Sequence, residues 1–136
     1  MTQHTLKNLR DVEDAAPKFG MAPDVQARFA ASDLGLERSA ISLQRLAPNV
    51  TQPFGHHHKG QEELYVVLEG SGQVKLDDAV YDVAKLDAVR VAPEVMRAFS
   101  AGPDGLEFLA YGAPAVVEPM QDVQMQQGWW SDAGRA

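Results

Sequence analysis

Three consecutive histidines, His56–His58, are the first residues of the sequence whose types and spacing could do chemistry. They end one short extended segment, and a second segment begins soon after them with Glu62-Glu63 and continues into β-branched, aromatic and aliphatic residues. Because side chains alternate between the two faces of a strand, His56 and His58 point to the same side. If the two segments pair, both imidazoles can meet one glutamate, and this set of ligands suits a divalent first-row metal.

The spacing of these residues resembles the first motif of the cupin superfamily. In that motif a His-x-His pair precedes a glutamate, and a glycine follows the glutamate after seven residues. His56 and His58, then Glu63, then Gly70 reproduce this order. Glu63 has the required distance to the glycine, so Glu63 rather than Glu62 is the matching residue.

A second segment resembles the second cupin motif, with three departures. The Asp-x-Val-x-Val-x-Pro run of residues 87–93 is in register with it. Leu86 stands where the family usually has glycine, and Glu94 stands where a turn glycine is usual. Arg97 stands where the resemblance implies a histidine as the fourth metal ligand.

The resemblance implies an all-β fold, a cupin double-stranded β-helix or jelly-roll barrel with an N-terminal arm and a short helical turn. Turn signals that recur at intervals of roughly 6 to 12 residues are typical of such an antiparallel barrel. The resemblance also implies that His56, His58 and Glu63 are metal ligands. Their chemistry favours a divalent transition metal, which we expect to be manganese, iron, nickel or zinc, and no organic cofactor is predicted.

Arg97 offers a competing interpretation of the same site. A guanidinium is permanently charged and cannot ligate a cation. It is instead a natural partner for a carboxylate, so Arg97 could pair with Glu63 and neutralise it where a metal would have done so. His56 and His58 would then line a polar pocket without an ion.

Two residues are predicted to bind a substrate. Arg97 could hold the carboxylate or phosphate of a small anionic ligand, whether or not a metal is present. Tyr65 shares the face of Glu63 and would line the pocket; the alternative is a core aromatic residue whose hydroxyl is tethered to the backbone.

Composition limits the classes of partner. The chain has 136 residues and a net charge of −7, which argues against nucleic acid and against an anionic membrane surface. It contains no cysteine, so disulfides are excluded. No apolar run is long enough to span a bilayer and no signal peptide is recognisable. We therefore expect a cytoplasmic protein. The resemblance implies a homodimer, and the predicted pocket implies a small-molecule ligand.

The chain divides into three predicted parts. Residues 1–36 form an N-terminal arm with an irregular or helical segment, 37–112 the barrel, and 113–136 a tail that packs on the barrel or on a partner. Within the first part, one or two helical turns are predicted over 23–31, with Val25 and Phe29 as their buried edge. An irregular segment is the alternative. At least one of Trp129 and Trp130 is expected to be packed, because exposing both to water is costly.

Other patterns predict turns and core residues. Gly70-Ser71-Gly72 and Gly102-Pro103-Asp104-Gly105 are predicted turns that end strands. The predicted core contains seven apolar residues: Leu64, Val66, Leu68, Val89, Val91, Phe99 and Phe108.

Two functions fit these features. The first is a metal-dependent enzyme that acts on a small oxygen-rich or anionic molecule. The second is a non-catalytic small-molecule-binding module in which Arg97 replaces the metal ligand and pairs with Glu63. A metal bound only by the folded protein would stabilise it, so a chelator distinguishes the two.

Overall fold

Eight strands form one curled antiparallel sheet in the computed structural model of the protein, which describes residues 3–116 and 118–130. The strands are β1 (Val25–Phe29), β2 (Ala40–Leu46), β3 (Phe54–His58), β4 (Glu62–Leu76), β5 (Ala79–Ala84), β6 (Ala88–Val91), β7 (Arg97–Ala113) and β8 (Val123–Gln127). The described residues also form α1 (Ala31–Leu34), α2 (Pro119–Asp122) and two 3-10 turns (Leu9–Asp11 and Ala16–Phe19). The prediction of an all-β fold with a short helical turn is confirmed.

The two long strands β4 and β7 pair with each other and connect the rest of the sheet. On one side the order is β1-β2-β7-β3-β8. The first part of β4 also pairs with β6, and its last part pairs with β5. No helix among the described residues is long and apolar enough to cross a membrane.

The core lies on the concave side of the sheet and is built around three aromatic rings. Phe99 and Phe108 stack with their ring centroids 4.5 Å apart, and Tyr65 lies 4.9 Å from Phe99. All three are buried, together with Val67 and Val74. Alternation places Tyr65 and Val67 on the same face as Glu63, as predicted.

The predicted core includes one residue that is clearly outside it. Leu64 is 39% exposed, because the first part of β4 turns its even-numbered residues outward while Tyr65 and Val67 point inward. Phe99, Phe108 and Val91 are buried as predicted. The prediction was wrong for Leu64 because apolar residues occur on both faces of this strand. Such a run does not indicate which face is buried.

The helical prediction for 23–31 is wrong over its central residues. Residues Val25–Phe29 form β1, which pairs with β2 along its whole length. Val25 and Ala27 are buried, as strand alternation requires, whereas Phe29 is 56% exposed. The helical turn forms just after this strand, as α1, and Gly35 ends it with φ +70°.

The two predicted glycine turns lie inside long strands and do not end them. β4 continues through Gly70–Gly72, and β7 continues through 102–105. The β4–β7 register shifts here. Gly70 has φ +81°, and a Cβ at this position would lie 2.0 Å from the Gly105 carbonyl oxygen. The glycines therefore let the two strands bend together at close range.

The sheet extends on both sides of the range 37–112 predicted for the barrel. β1 adds a strand beside β2, and β8 adds one beside β3. The expectation that at least one tryptophan is packed is confirmed, because Trp130 is 2% exposed. Leu86, at the position where the resemblance expects glycine, has φ +72°, the conformation that glycine adopts most easily.

Candidate metal centre

Strands β3 and β4 bring the three predicted metal ligands together inside the barrel. His56 lies on β3 directly opposite Arg97 of β7, and His58 follows two residues later on the same face. Glu63 begins the inward face of β4, where it lies between Val91 of β6 and Gly112 of β7. The local alternation predicted from the sequence therefore places these side chains as expected.

The distances from Glu63 to the two imidazoles fit a first-row metal ion. Glu63 Oε1 lies 3.2 Å from His56 Nε2 and 3.1 Å from His58 Nε2. All three ligand atoms lie within 4.8 Å of one another. Ligands about 2.1 Å from a common ion are about 3.0 Å apart at right angles and about 3.4 Å apart at tetrahedral angles. The residues present thus fit such an ion.

Arg97 contacts Glu63, as the competing interpretation predicts. Its Nη1 donates to Glu63 Oε1 over 2.9 Å and its Nη2 donates to the Ala92 carbonyl oxygen over 2.9 Å. The side chain is 1% exposed. Its Nε has no hydrogen-bond partner among the described residues. Arg97 is therefore anchored on Glu63 and retains at least one unused donor.

Tyr65 also donates to Glu63. Its hydroxyl lies 2.6 Å from Oε1, while its ring packs against Phe99 and Phe108. In this position Tyr65 holds the carboxylate and joins the site to the aromatic core. The predicted alternative of a hydroxyl tethered to the backbone is wrong in its partner, because the hydroxyl donates to the Glu63 carboxylate.

Four side chains thus surround one oxygen atom, Oε1 of Glu63, at 2.6 to 3.2 Å. A carboxylate oxygen offers about two acceptor sites, and His58 Nε2 is not a donor to it when Nδ1–H of the neutral ring donates to Asp122. An ion between the two imidazoles and Glu63 would be bound by the unprotonated Nε2 atoms of His56 and His58, which leaves Tyr65 and Arg97 as the donors to Oε1. This crowding favours a cation at the site.

A residue that the sequence analysis missed lies behind His58. Asp122 Oδ2 is 2.8 Å from His58 Nδ1, and Asp122 Oδ1 accepts from the Gly60 N–H over 2.9 Å. Asp122 lies in the part predicted only as a tail. The apolar–polar alternation of Val123–Gln127 could have indicated the strand that follows it, but not its contact with His58.

Burial and hydrogen bonding move the pKa values in the site. Burial alone raises the pKa of Glu63, but hydrogen bonds from His56 and His58, with that of Tyr65, outweigh it and hold the pKa well below its usual value. Burial lowers the pKa of His56 despite its contact with Glu63. Burial and the Glu63 charge raise the pKa of the Tyr65 hydroxyl. Glu63 is therefore a carboxylate and His56 a neutral imidazole at neutral pH, which are the forms that bind metals.

The third histidine and a surface depression lie outside the centre. His57 is on the other face of β3, opposite Gln124 of β8, as the alternation predicts. A solvent-open depression lined by Gly72, Asp82 and Ser100 contains none of the predicted site residues. The chemistry is therefore concentrated around Glu63.

Comparison with known proteins gives the fold. No family model and no curated protein matches the sequence. A cupin protein from Bacteroides fragilis is 22% identical, with a TM-score of 0.69, over 100% of this chain and 98% of that chain. Oxalate decarboxylase from Bacillus subtilis is 20% identical, with a TM-score of 0.73, over 95% of this chain and 35% of that chain. A variant of Streptomyces PAC13 with uridine is 14% identical, with a TM-score of 0.69, over 90% of each chain.

The chain therefore has the fold of the cupin superfamily, and the predicted β-barrel is confirmed. It corresponds to about a third of the length of the oxalate decarboxylase chain and to nearly the whole of the Bacteroides protein. Likeness at these identities concerns the fold, because one fold supports many activities.

Proposed function

We propose that the protein binds one divalent transition metal through His56, His58 and Glu63 and acts on a small oxygen-rich or anionic molecule. The observation that carries this proposal is the cluster of three ligand atoms within 4.8 Å. Three protein ligands leave coordination positions open for water or a substrate. When bound, the metal would supply Lewis-acid chemistry to an oxygen atom of that substrate.

The remaining residues of the site prepare it for an anion. Arg97 and Tyr65 both donate to Glu63 Oε1 and so fix the position of the carboxylate. The imidazoles of His56 and His58 can then exchange their contact with Glu63 for a bond to a metal ion. The Arg97 guanidinium gives the site a fixed positive charge, and its Nε–H, which has no partner among the described residues, is the donor that we propose for a carboxylate. The oxalate decarboxylase that shares the fold is named for a small dicarboxylate, which is consistent with this class of ligand.

Access to the site comes from the side of His56. Its side chain is 19% exposed and that of Glu63 is 13% exposed, whereas His58 and Arg97 are buried. A small molecule would therefore approach along His56 and Glu63.

A second candidate function rests on the Arg97–Glu63 contact of 2.9 Å. A buried guanidinium already neutralises the carboxylate, so the site can exist without an ion. The protein would then be a non-catalytic binding module for a small anionic molecule. Its stability would not depend on a chelator.

Metal analysis of untagged protein, purified without nickel resin, separates the two candidates. We expect about one metal ion per chain, drawn from manganese, iron, nickel or zinc, and a fall in melting temperature on treatment with EDTA. His56→Ala should lose the metal, whereas His57→Ala, on the opposite face of the same strand, should retain it. Substoichiometric metal that His56→Ala leaves unchanged would favour the binding module.

The substrate class is tested separately. Thermal-shift measurements with sodium oxalate and other small carboxylates should stabilise the parent protein more than Arg97→Lys, because lysine lacks the planar set of donors. Equal shifts for the two proteins would remove Arg97 from the proposed anion site.

A further inference from the structure

The C-terminal segment, residues 118–130, contains the principal neighbour of the strand that carries the histidines. β8 pairs with β3 over five residue pairs, from Phe54 with Gln127 to His58 with Val123. The pairing of β3 with β7 involves one residue pair, His56 with Arg97. The position of β3 is therefore set largely by β8.

Asp122 ties this segment to His58 and to the two residues that follow it. Its Oδ2 contacts His58 Nδ1 at 2.8 Å, and its Oδ1 accepts from the Gly60 N–H. Its backbone carbonyl also accepts from the Lys59 N–H over 2.9 Å. Asp122 and His58 are 9% and 5% exposed, so the contact is shielded from water.

The other end of the segment is anchored on the start of β3. The ring of Trp129 lies so close to Gly55 that a Cβ there would come within 2.5 Å of it. The Lys75 ammonium lies 4.2 Å from the centre of the same ring. Trp130 is buried. The segment thus holds β3 at both ends.

The Asp122 contact determines which nitrogen of His58 can bind a metal. A carboxylate that accepts from Nδ1–H fixes the tautomer in which Nε2 carries the free lone pair. Nε2 is the atom that lies 3.1 Å from Glu63 Oε1. Asp122 therefore orients the ring and directs its lone pair into the site.

We propose that Asp122 is a positioning residue for the metal centre, and that docking of the C-terminal segment on β3 and metal binding stabilise each other. The inference rests on the proposed metal site. By linkage, the stabilisation is reciprocal: the docked segment raises metal affinity, and the bound metal keeps the segment docked.

Cobalt(II) titration of the untagged, metal-free protein, followed by the visible absorption of the bound ion, tests the inference. Asp122→Asn should weaken cobalt binding by about 10- to 100-fold and shift the absorption bands. Asp122→Glu should recover part of the affinity. The matched control is Asp14→Asn, which changes a carboxylate that also accepts from two backbone N–H groups, those of Ala16 and Ala27. This control should bind cobalt as the parent does.

Hydrogen exchange of the parent protein provides a measurement that needs no variant. Cobalt should slow exchange of the β8 amides by at least about 10-fold more than that of β5, which lies on another edge of β4. In Asp122→Asn this difference should disappear at a cobalt concentration that saturates the variant.

The outcomes distinguish the two proposals. If the parent binds cobalt, His56→Ala does not, and Asp122→Asn matches the parent in affinity and spectrum, the inference is overturned while the metal site stands. Equal protection of β8 and β5 in the parent would also overturn it. If the parent binds no cobalt, the metal site fails and the inference fails with it.

Discussion

The interior of the barrel has a polar half and an apolar half, and they are held together by different physics. The polar half consists of His56, His58, Glu63 and Arg97, and the apolar half of Val67, Val74, Phe99 and Phe108. Tyr65 belongs to both, since its ring packs against the aromatic residues and its hydroxyl donates to Glu63.

Because of this difference, the stability of the protein should respond differently to a single substitution in each half. In the apolar half each contact is worth little, and a lost side chain leaves a cavity. In the polar half each group satisfies another, so the removal of one leaves its partner buried and unpaired. Stability comes from both halves, but only the polar half provides a reason for specific residues at specific positions.

Glu63→Gln should have the largest effect. It leaves the Arg97 guanidinium buried without its counter-charge, at a cost of about 3 to 5 kcal/mol in the free energy of unfolding. It also removes a metal ligand. Denaturant unfolding and metal analysis measure the two effects. Glu62→Gln is the control, because that side chain is 58% exposed on the opposite face and should change stability by less than about 0.5 kcal/mol.

Phe108→Ala should lower stability by a comparable amount without removing the metal. Phe108 is fully buried against Phe99, so its truncation should cost about 3 to 5 kcal/mol. The stoichiometry of bound metal, measured on protein that remains folded, should equal that of the parent. Phe29→Ala, at an exposed aromatic residue, should cost much less. Loss of metal in Phe108→Ala would mean that the two halves are not separate.

Tyr65→Phe examines the boundary between the halves. It retains the ring and removes one hydrogen bond to a carboxylate, so the free energy of unfolding should fall by about 2 kcal/mol. Metal affinity should fall only modestly, since the ligands remain. The comparison is made by chemical denaturation with and without EDTA. No loss of stability would show that the 2.6 Å contact contributes nothing.

The pH dependence of the metal-free protein should give the smallest effect. Burial lowers the pKa of His56 below 6.5, so the unfolded chain binds a proton that the folded protein does not, and stability should decline as pH falls below about 6.5. The lowered pKa of Glu63 adds a further loss below 4.5. Denaturant unfolding in EDTA from pH 8 to pH 4 measures the decline. The part of the decline that occurs above pH 4.5 should be smaller in His56→Gln. A gain in the stability of the parent between pH 7 and pH 5.5 would contradict the account.

The site could be predicted where its residues are close in sequence. His56, His58 and Glu63 lie within eight residues, and strand alternation alone determines which of them share a face. The Arg97–Glu63 contact needed the resemblance, because β7 and β4 are brought together by the fold. Asp122 lies 64 residues after His58. No local pattern determines which residue of the tail returns to β3.

The sequence predicts the fold class correctly, but it does not predict every secondary-structure element. Val25 and Phe29 are four residues apart, a spacing that shares a face in a helix and also in a strand, so it could not distinguish the two. The structure shows a strand, because Ala27 between these two residues is buried and the segment pairs with β2. The glycines at 70 and 72 were interpreted as a turn, because the close approach of β7 that requires them is a tertiary contact.

The most direct test of the metal site is a crystal structure of the untagged protein grown with cobalt(II), with anomalous scattering recorded at the cobalt edge. The account predicts one strong peak about 2.1 Å from the Nε2 atoms of His56 and His58 and from a carboxylate oxygen of Glu63. A map without a peak between these atoms at saturating cobalt, with Arg97 still bonded to Glu63, would contradict it.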